Sequence, residues 1–388
     1  MSIPVVRVNR RAAERVASGH PWIFSSDVID RGQAQSGDAV MVCEAGGRAF
    51  GTAHYSSSSQ ICLRVLSART EAIDRAFLLG RIRAAADYRG RVVRDTDAYR
   101  LVHGEADQLP GLVIDRYRDY FVVQTLDQGM DRLKGEFASI LQELFGAAGV
   151  IARNDAPVRK HEQLPLETET LAGEIPDEVG VRVNGLDLTA DLRRGQKTGV
   201  FLDQRENYIA AARYAQGRAL DCFTSTGGFA LQIAPKCETV EAVDSSAAAL
   251  ERARRNAAAN GIGNIEFREA DVFELLTAYS SARRQFATIV LDPPAFAKSR
   301  GALDQAARGY KDINLRALRL LGPGGVLVTC SCSHHMSEAL LLETIAEAAL
   351  DAGRTLRVLE RRTQSQDHPI LLTVPETLYL KCLIFEVM

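Results

Sequence analysis

Ala219-Leu-Asp-Cys-Phe-Thr-Ser-Thr-Gly-Gly-Phe229 is the stretch on which the reading of this chain turns. Arg218 to Phe223 is a short apolar run suited to a buried strand, Thr224 to Gly228 are small residues able to turn tightly, and Phe229-Ala-Leu-Gln-Ile-Ala234 begins a helical period. A strand, a small-residue turn and a helix N-terminus together make a place where a ligand can lie against bare backbone. The next apolar run, Thr239 to Val243, ends on Asp244, roughly 20 residues past the turn, where a carboxylate in this kind of unit receives ribose hydroxyls.

The unit then repeats. Asn264 to Arg268 leads to Asp271, and Phe286 to Leu291 leads to Asp292-Pro-Pro-Ala-Phe296, so Asp221, Asp244, Asp271 and Asp292 all fall at carboxyl ends of successive strands. Any single Asp there is as well explained as a helix cap or turn former. In register they mark the edge at which open α/β sheets bind ligands. The fold class expected is α/β: a doubly wound, Rossmann-like sheet over 186–388, with the last strands, near Leu356 to Leu359 and Leu378 to Val387, as an antiparallel edge.

Ahead of that sheet the pattern changes. Residues 1–70 hold short strands at close spacing with Gly-containing turns, which predicts a small β-barrel. Residues 71–185 read as an α+β middle domain: a helix from Asp74 to Arg94, strands at Tyr99–His103, Gly111–Asp115, Tyr120–Gln124 and Gly149–Arg153, and a helix from Asp131 to Phe145. Leu164 to Glu178, rich in Pro and Glu, reads as a connecting stretch, and Asn184-Gly185 is a hairpin signal. Arg75, Arg81, Arg83, Arg89, Arg91 and Arg94 give the first helix a basic excess that suits phosphates or simply water. Near the start, Arg7, Arg10, Arg11, Arg15, His20 and Trp22 read equally well as an RNA contact and as a solvated face with Trp22 in the core.

The chain has 388 residues, 46% hydrophobic and 25% charged, with a formal net charge of -2, so any nucleic-acid partner requires a local basic patch. No apolar run is long enough to span a bilayer and Met1 to Arg7 lacks a signal-peptide core, which makes a cytoplasmic location the expectation. The seven cysteines show neither a disulfide framework nor a metal-type Cys-x-x-Cys pair, so no metal is expected.

Two features carry chemistry. Prolines after a strand end fix an extended backbone without N–H donors, leaving carbonyls and the Asp292 carboxylate aimed at a donor-rich planar group such as a nucleobase edge, with Phe296 able to stack on the ring or to sit in the core. Cys330 and Cys332 end the following strand and, two apart, share a face. A partly exposed thiol in electropositive surroundings is a usable nucleophile. Attack on C6 of cytosine turns the ring into an enamine whose C5 accepts a methyl group.

End to end, the chain resembles the RlmI-type 23S ribosomal RNA methyltransferases, S-adenosylmethionine-dependent enzymes making 5-methylcytosine. The resemblance is carried by Gly19-His-Pro-Trp-Ile-Phe24 and Gly37-Asp-Ala-Val40, similar to a PUA RNA-binding domain, and by Gly104 to Tyr117 in the middle domain. Gly195 to Arg205, Asp221 to Phe229, Asp292 to Lys298, Ser331-Cys-Ser333, Asp367-His-Pro369 and Pro375 to Lys381 match the later motifs. It implies Cys332 as nucleophile and Asp292 as the residue holding the base edge. Cofactor contacts are implied for Asp221, Phe223, Gly227, Asp244, Asp271, Asp292 and Pro293, with Lys197, Phe201 and Asp203 as a flap. Many RNA 5-methylcytosine enzymes carry a second cysteine where this chain has Ala295, so a single-cysteine scheme is expected; Thr329-Cys-Ser331 is also a form of the motif. The partners implied are 23S rRNA, naked or in a partly assembled large subunit, and a second copy in a homodimer, with no membrane. The alternatives are base N-methylation of RNA on the same fold, which needs no cysteine, and a non-catalytic ribosome-assembly factor.

Overall fold

The computed structural model describes residues 3–195, 198–296 and 300–388, with the backbone alone for Arg300. The chain forms two compact units, one of Met1–Val181, Ala190–Val200 and Gln366–Thr377, the other of Arg182–Thr189, Phe201–Ser365 and Leu378–Met388.

The first unit holds two sheets. A six-stranded sheet is made from Val5–Val8, Trp22–Phe24, Val28–Asp30, Ala39–Glu44, Ala49–Tyr55 and Ile61–Ser67. It is not purely β: Asn9, whose side chain accepts from the Ala12 amide at 2.9 Å, caps a helix over Arg10–Ala17. The second sheet has five strands in the order Glu167–Gly173, Gly149–Asn154, Tyr120–Thr125, Leu112–Tyr117 and Ala98–His103. Glu167–Gly173 corrects the reading of 164–178 as a connection. It pairs antiparallel with Gly149–Asn154, and its half-buried Glu167 and Glu169 carboxylates are both held by Lys134.

The helix over Arg75–Val92 departs from the phosphate-binding expectation in part, because much of its basic charge is used inside the unit. Arg75 pairs with Glu136 and Glu143, and Arg81 binds Gln108. Arg89 is buried against Asp107 and the carbonyls of Arg100 (2.8 Å) and Asp367 (2.7 Å). Arg83, Arg91 and Arg94 remain exposed. Trp22 is half-buried and donates to Glu105 at 2.8 Å, which fixes it structurally.

In the second unit a seven-stranded sheet is built from β1 (Arg218–Cys222), β2 (Thr239–Asp244), β3 (Ile265–Glu269), β4 (Phe286–Leu291), β5 (Leu321–Ser331), β6 (Leu356–Arg362) and β7 (Lys381–Val387). Their order is β3-β2-β1-β4-β5-β7-β6, parallel through β5, with β7 antiparallel to both neighbours. The central strands are Val, Ile and Leu-rich because helices cover both faces. α1 (Arg205–Tyr214) and α2 (Gly228–Ile233) bury Val290, Val328 and Ile384 on one face; α4 (Val272–Ser281), α5 (Leu303–Leu320) and α6 (Glu338–Asp351), which follow α3 (Ala247–Ala259), bury Ile289, Leu291 and Leu327 on the other. The strand order reverses between β1 and β4, which puts the switch point at the ends of those two strands. Gly322 to Gly325 lies inside β5 as an irregularity: Phe286 pairs with Leu321 and Thr288 with Val326. The Asn184-Gly185 hairpin forms with both residues left-handed, φ 52° and 81°, as a type I′ turn requires.

In the first unit Arg159 is fully buried, donating to Asp131 at 2.9 Å and to the Pro165 carbonyl at 3.0 Å. Arg159→Met removes one partner of a buried pair and is expected to cost about 3–5 kcal/mol in urea unfolding; a loss below about 1 kcal/mol would show the pair to be dispensable.

Candidate active site

Where β1 ends, the backbone must turn sharply into α2, and it does so through left-handed residues: Phe223 at φ 64°, Ser225 at 51° and Gly227 at 91°. The turn is pinned by the Thr224 amide on the Val243 carbonyl at 2.9 Å. Gly228 is required by space, since a Cβ there would lie 2.4 Å from the Tyr208 ring. Beneath the turn lies Asp221, fully buried. Its Oδ2 accepts from Thr224 Oγ1 at 2.6 Å and the Ala230 amide at 2.9 Å, while Oδ1 has no hydrogen-bond partner among the described residues. Burial, helped by Asp292 and Asp244 and opposed by the two hydrogen bonds, pushes its carboxyl up to about 7. At the tip of β2, Asp244 accepts from the Ser225 and Ser246 amides, each at 2.9 Å, which holds the carboxylate beside the turn.

Asp292 follows β4 directly and its amide reaches the Cys222 carbonyl at 3.4 Å. Gln204 donates to Asp292 Oδ1 at 3.0 Å and is itself oriented by Asn207 at 2.7 Å. Tyr208, on α1, stands edge-on to Phe229 with ring centroids 4.7 Å apart. Burial, then the charges of Asp292, Asp203 and Asp221, push its hydroxyl well above the usual value. Asp203 is buried and accepts from Tyr379 at 2.8 Å, so in this unit its carboxylate is tied to the chain leading into β7.

The two cysteines separate cleanly. Cys330 is fully buried within β5, opposite Cys382 on β7; burial, then Cys382 and Asp292, push its thiol well above its ordinary value. Cys332 lies one residue beyond the strand and is part-exposed. Around it are Ser333, whose Oγ is 3.1 Å from the Tyr310 hydroxyl, and Lys381, whose Nζ donates to the Ser333 carbonyl at 2.7 Å. Phe296 is half-buried and packs on Tyr310 (4.7 Å) and Phe273 (6.1 Å) at the margin of the core.

The structure thus brings Asp203, Asp221, Phe223, Gly227, Asp244, Asp292 and Pro293 to the carboxyl edge of one sheet or the helix entering it. Phe201 joins them through its carbonyl, 3.5 Å from the Tyr208 hydroxyl. Asp271 is at the same edge, but exposed and capping α4 by accepting from the Glu274 amide at 3.0 Å. Lys197 lies outside the described residues. Thr198, next to it, is held within the first unit, donating to Asp115 at 2.6 Å. Gln204, Tyr208, Tyr310 and Lys381 are additions. Gln204 sits inside the quoted Gly195–Arg205 motif and Lys381 closes the Pro375–Lys381 motif; Tyr208 and Tyr310 carry no local sign.

Residues 126–386 match the model of the S-adenosylmethionine-dependent methyltransferase family, and residues 6–68 that of a PUA-like domain. The ribosomal RNA large subunit methyltransferase I of Klebsiella pneumoniae is 43% identical over 93% of both chains. The chain belongs to that methyltransferase family. The enzyme of the same name from Shewanella amazonensis is 43% identical over 95% of both chains. A solved methyltransferase complexed with S-adenosylhomocysteine is 18% identical, covers 99% of this chain and 100% of its own, and superposes with a TM-score of 0.85, a likeness of fold.

The cofactor is S-adenosylmethionine, and the residues fit it. Its sulfonium and ammonium are cations, and the edge offers Asp221 with an unsatisfied, buried Oδ1 together with Asp203 and Asp292. A positive ligand group beside Asp221 relieves the desolvation that keeps the proton on it.

Without ligand, Asp221 ionises near 3.8 in the unfolded chain and near about 7 in the folded one, so the folded state holds the extra proton between those values. Its contribution to stability is complete below the lower value and is lost as pH rises through the higher. Melting curves of cofactor-free protein from about pH 4 to 8 are expected to fall more steeply for wild type than for Asp221→Asn; superimposable profiles would refute the raised pKa.

Proposed function

We propose that this chain transfers a methyl group from S-adenosylmethionine to C5 of a cytosine in 23S large-subunit rRNA, with Cys332 as nucleophile. The observation that carries it is the part-exposed Cys332 just past β5, neighbouring the β4 end that bears Asp292-Pro293-Pro294, while Cys330 is sealed in the sheet. The names of the 43%-identical relatives support the substrate.

Asp221, Phe223, Gly227, Asp244 and Asp271 would hold the methionine part, ribose and adenine, with Pro293 shaping the wall and Phe201 and Asp203 entering from the α1 side. Lys197 completes this set as a motif match alone. When bound, S-adenosylmethionine supplies an electrophilic methyl group and leaves as S-adenosylhomocysteine. Asp292, its Oδ1 steadied by Gln204, accepts a hydrogen bond from the donor edge of the cytosine. Cys332 Sγ, as thiolate, bonds to C6; the C5=C6 π pair moves into the ring and makes C5 nucleophilic. Once C5 carries the methyl group, a base takes H5, the C5–H pair reforms the double bond, and the C6–S pair returns to Cys332. With Ala295 where related enzymes carry a second cysteine, release depends on that proton removal alone.

The PUA-like region and the exposed Arg83, Arg91 and Arg94 would supply phosphate contacts, and a stacked target would be flipped at a cost of a few kcal/mol. Naked or partly assembled RNA is therefore the expected substrate.

Purified enzyme with radiolabelled cofactor and unmodified 23S rRNA is expected to yield 5-methylcytidine on nucleoside mass spectrometry. Cys332→Ala should lower the rate at least about 10³-fold while cofactor binding by calorimetry is kept. An active Cys332→Ala enzyme making an N-methylated base would establish the alternative chemistry instead.

A further inference from the structure

We propose that Lys381 is a positioning residue whose ammonium holds Cys332 Sγ as the thiolate, an inference that rests on Cys332 being the nucleophile. Lys381 opens β7 opposite Ser331, the last residue of β5, and its side chain reaches the carbonyl of Ser333, the residue after Cys332. It is 4% exposed, yet among the described residues no carboxylate lies within ion-pair distance of it. Buried charges are normally paired, because leaving water without a counter-ion costs several kcal/mol. Here Nζ donates to the carbonyls of Ser333 (2.7 Å) and Tyr379 (3.0 Å), two neutral acceptors. An ammonium has three N–H groups, and the third is left over.

The proposed counter-ion is Cys332 in its thiolate form, next to the Ser333 carbonyl that Lys381 holds. Among charged neighbours Cys332 acts on Lys381 most strongly and Glu338 next; Glu338 is drawn away by its own pair with Arg361. Burial lowers the Lys381 ammonium to about 8, against the support of those two groups. From the α5 side Cys332 is faced by Tyr310, whose hydroxyl is raised by burial and stays neutral near pH 7, hydrogen-bonded to Ser333. Lys381 is therefore, among the described residues, a cation placed to offset a developing thiolate. The anchoring bond to Ser333 ties its position to the residue next to the nucleophile. A merely structural lysine would tether two carbonyls equally well, but it would not move the titration of the thiol.

The test is the pH dependence of Cys332 alkylation by iodoacetamide in the full-length protein, read on the Cys332 peptide by mass spectrometry. Lys381→Met is expected to raise the thiol pKa by about one unit, slowing alkylation near pH 7 about tenfold, and Lys381→Arg to restore most of that rate. An unchanged Cys332 titration in a folded Lys381→Met protein would overturn the inference. Should that variant not fold, NMR titration of the Lys381 side chain in Cys332→Ser decides it: support removed from the ammonium lowers its pKa, whereas an unchanged value overturns the pairing. If 5-methylcytidine formation depends on Cys332 but its titration ignores Lys381, the pairing alone fails. If Cys332 and Lys381 titrate together yet Cys332→Ala still methylates, the nucleophile reading fails.

Discussion

A carboxylate sealed beneath a tight turn, with one oxygen satisfied by the protein and the other not, is the constraint that organises the catalytic half of this molecule. Asp221 can be kept there only because β1 and β2 hold the turn above it, because Thr224 and Ala230 saturate one oxygen, and because a cationic ligand can complete the other. The turn itself needs left-handed backbone at Phe223, Ser225 and Gly227, conformations that cost energy for non-glycine residues. Tyr208 and Phe229 pack over this strained segment and limit how it can relax. On the proposed reading, the apo fold thus keeps an unsatisfied carboxyl oxygen of Asp221 where the positively charged methyl donor would lie.

The second constraint is the place where β5 stops. Side chains two apart on a strand share a face, so periodicity alone treats Cys330 and Cys332 alike. What distinguishes them is a single residue of strand length: Ser331 is the last paired position, across from Lys381, so Cys330 is locked against Cys382 while Cys332 emerges. A sheet edge sorts one motif into a buried thiol and a part-exposed one.

Much of this was legible in the sequence because the governing forces are local. The alternating Val, Ile and Leu strands, the small-residue turn after Asp221, and Asn184-Gly185 each declare their backbone. Other features depend on distant partners. Glu167 to Gly173 reads as polar linker because its pairing edge and its Lys134 counter-ion are supplied from elsewhere in the chain. The arginines after Asp74 look like a phosphate patch until Glu136 and Glu143 both pair with Arg75 and Asp107 holds the buried Arg89. Gln204 gains meaning only when the start of α1 brings it to Asp292, and Phe296 is half-buried because α5 places Tyr310 against it.

The most direct measurement of the central claim is trapping with a 23S rRNA fragment carrying 5-fluorocytidine at the target, incubated with enzyme and S-adenosylmethionine. Fluorine cannot leave as a proton does, so a thiol bonded to C6 stays attached after methyl transfer. The account predicts a denaturation-stable protein–RNA adduct that maps by peptide mass spectrometry to Cys332 and disappears in Cys332→Ala. Turnover without an adduct, or an adduct on Cys330, would contradict it.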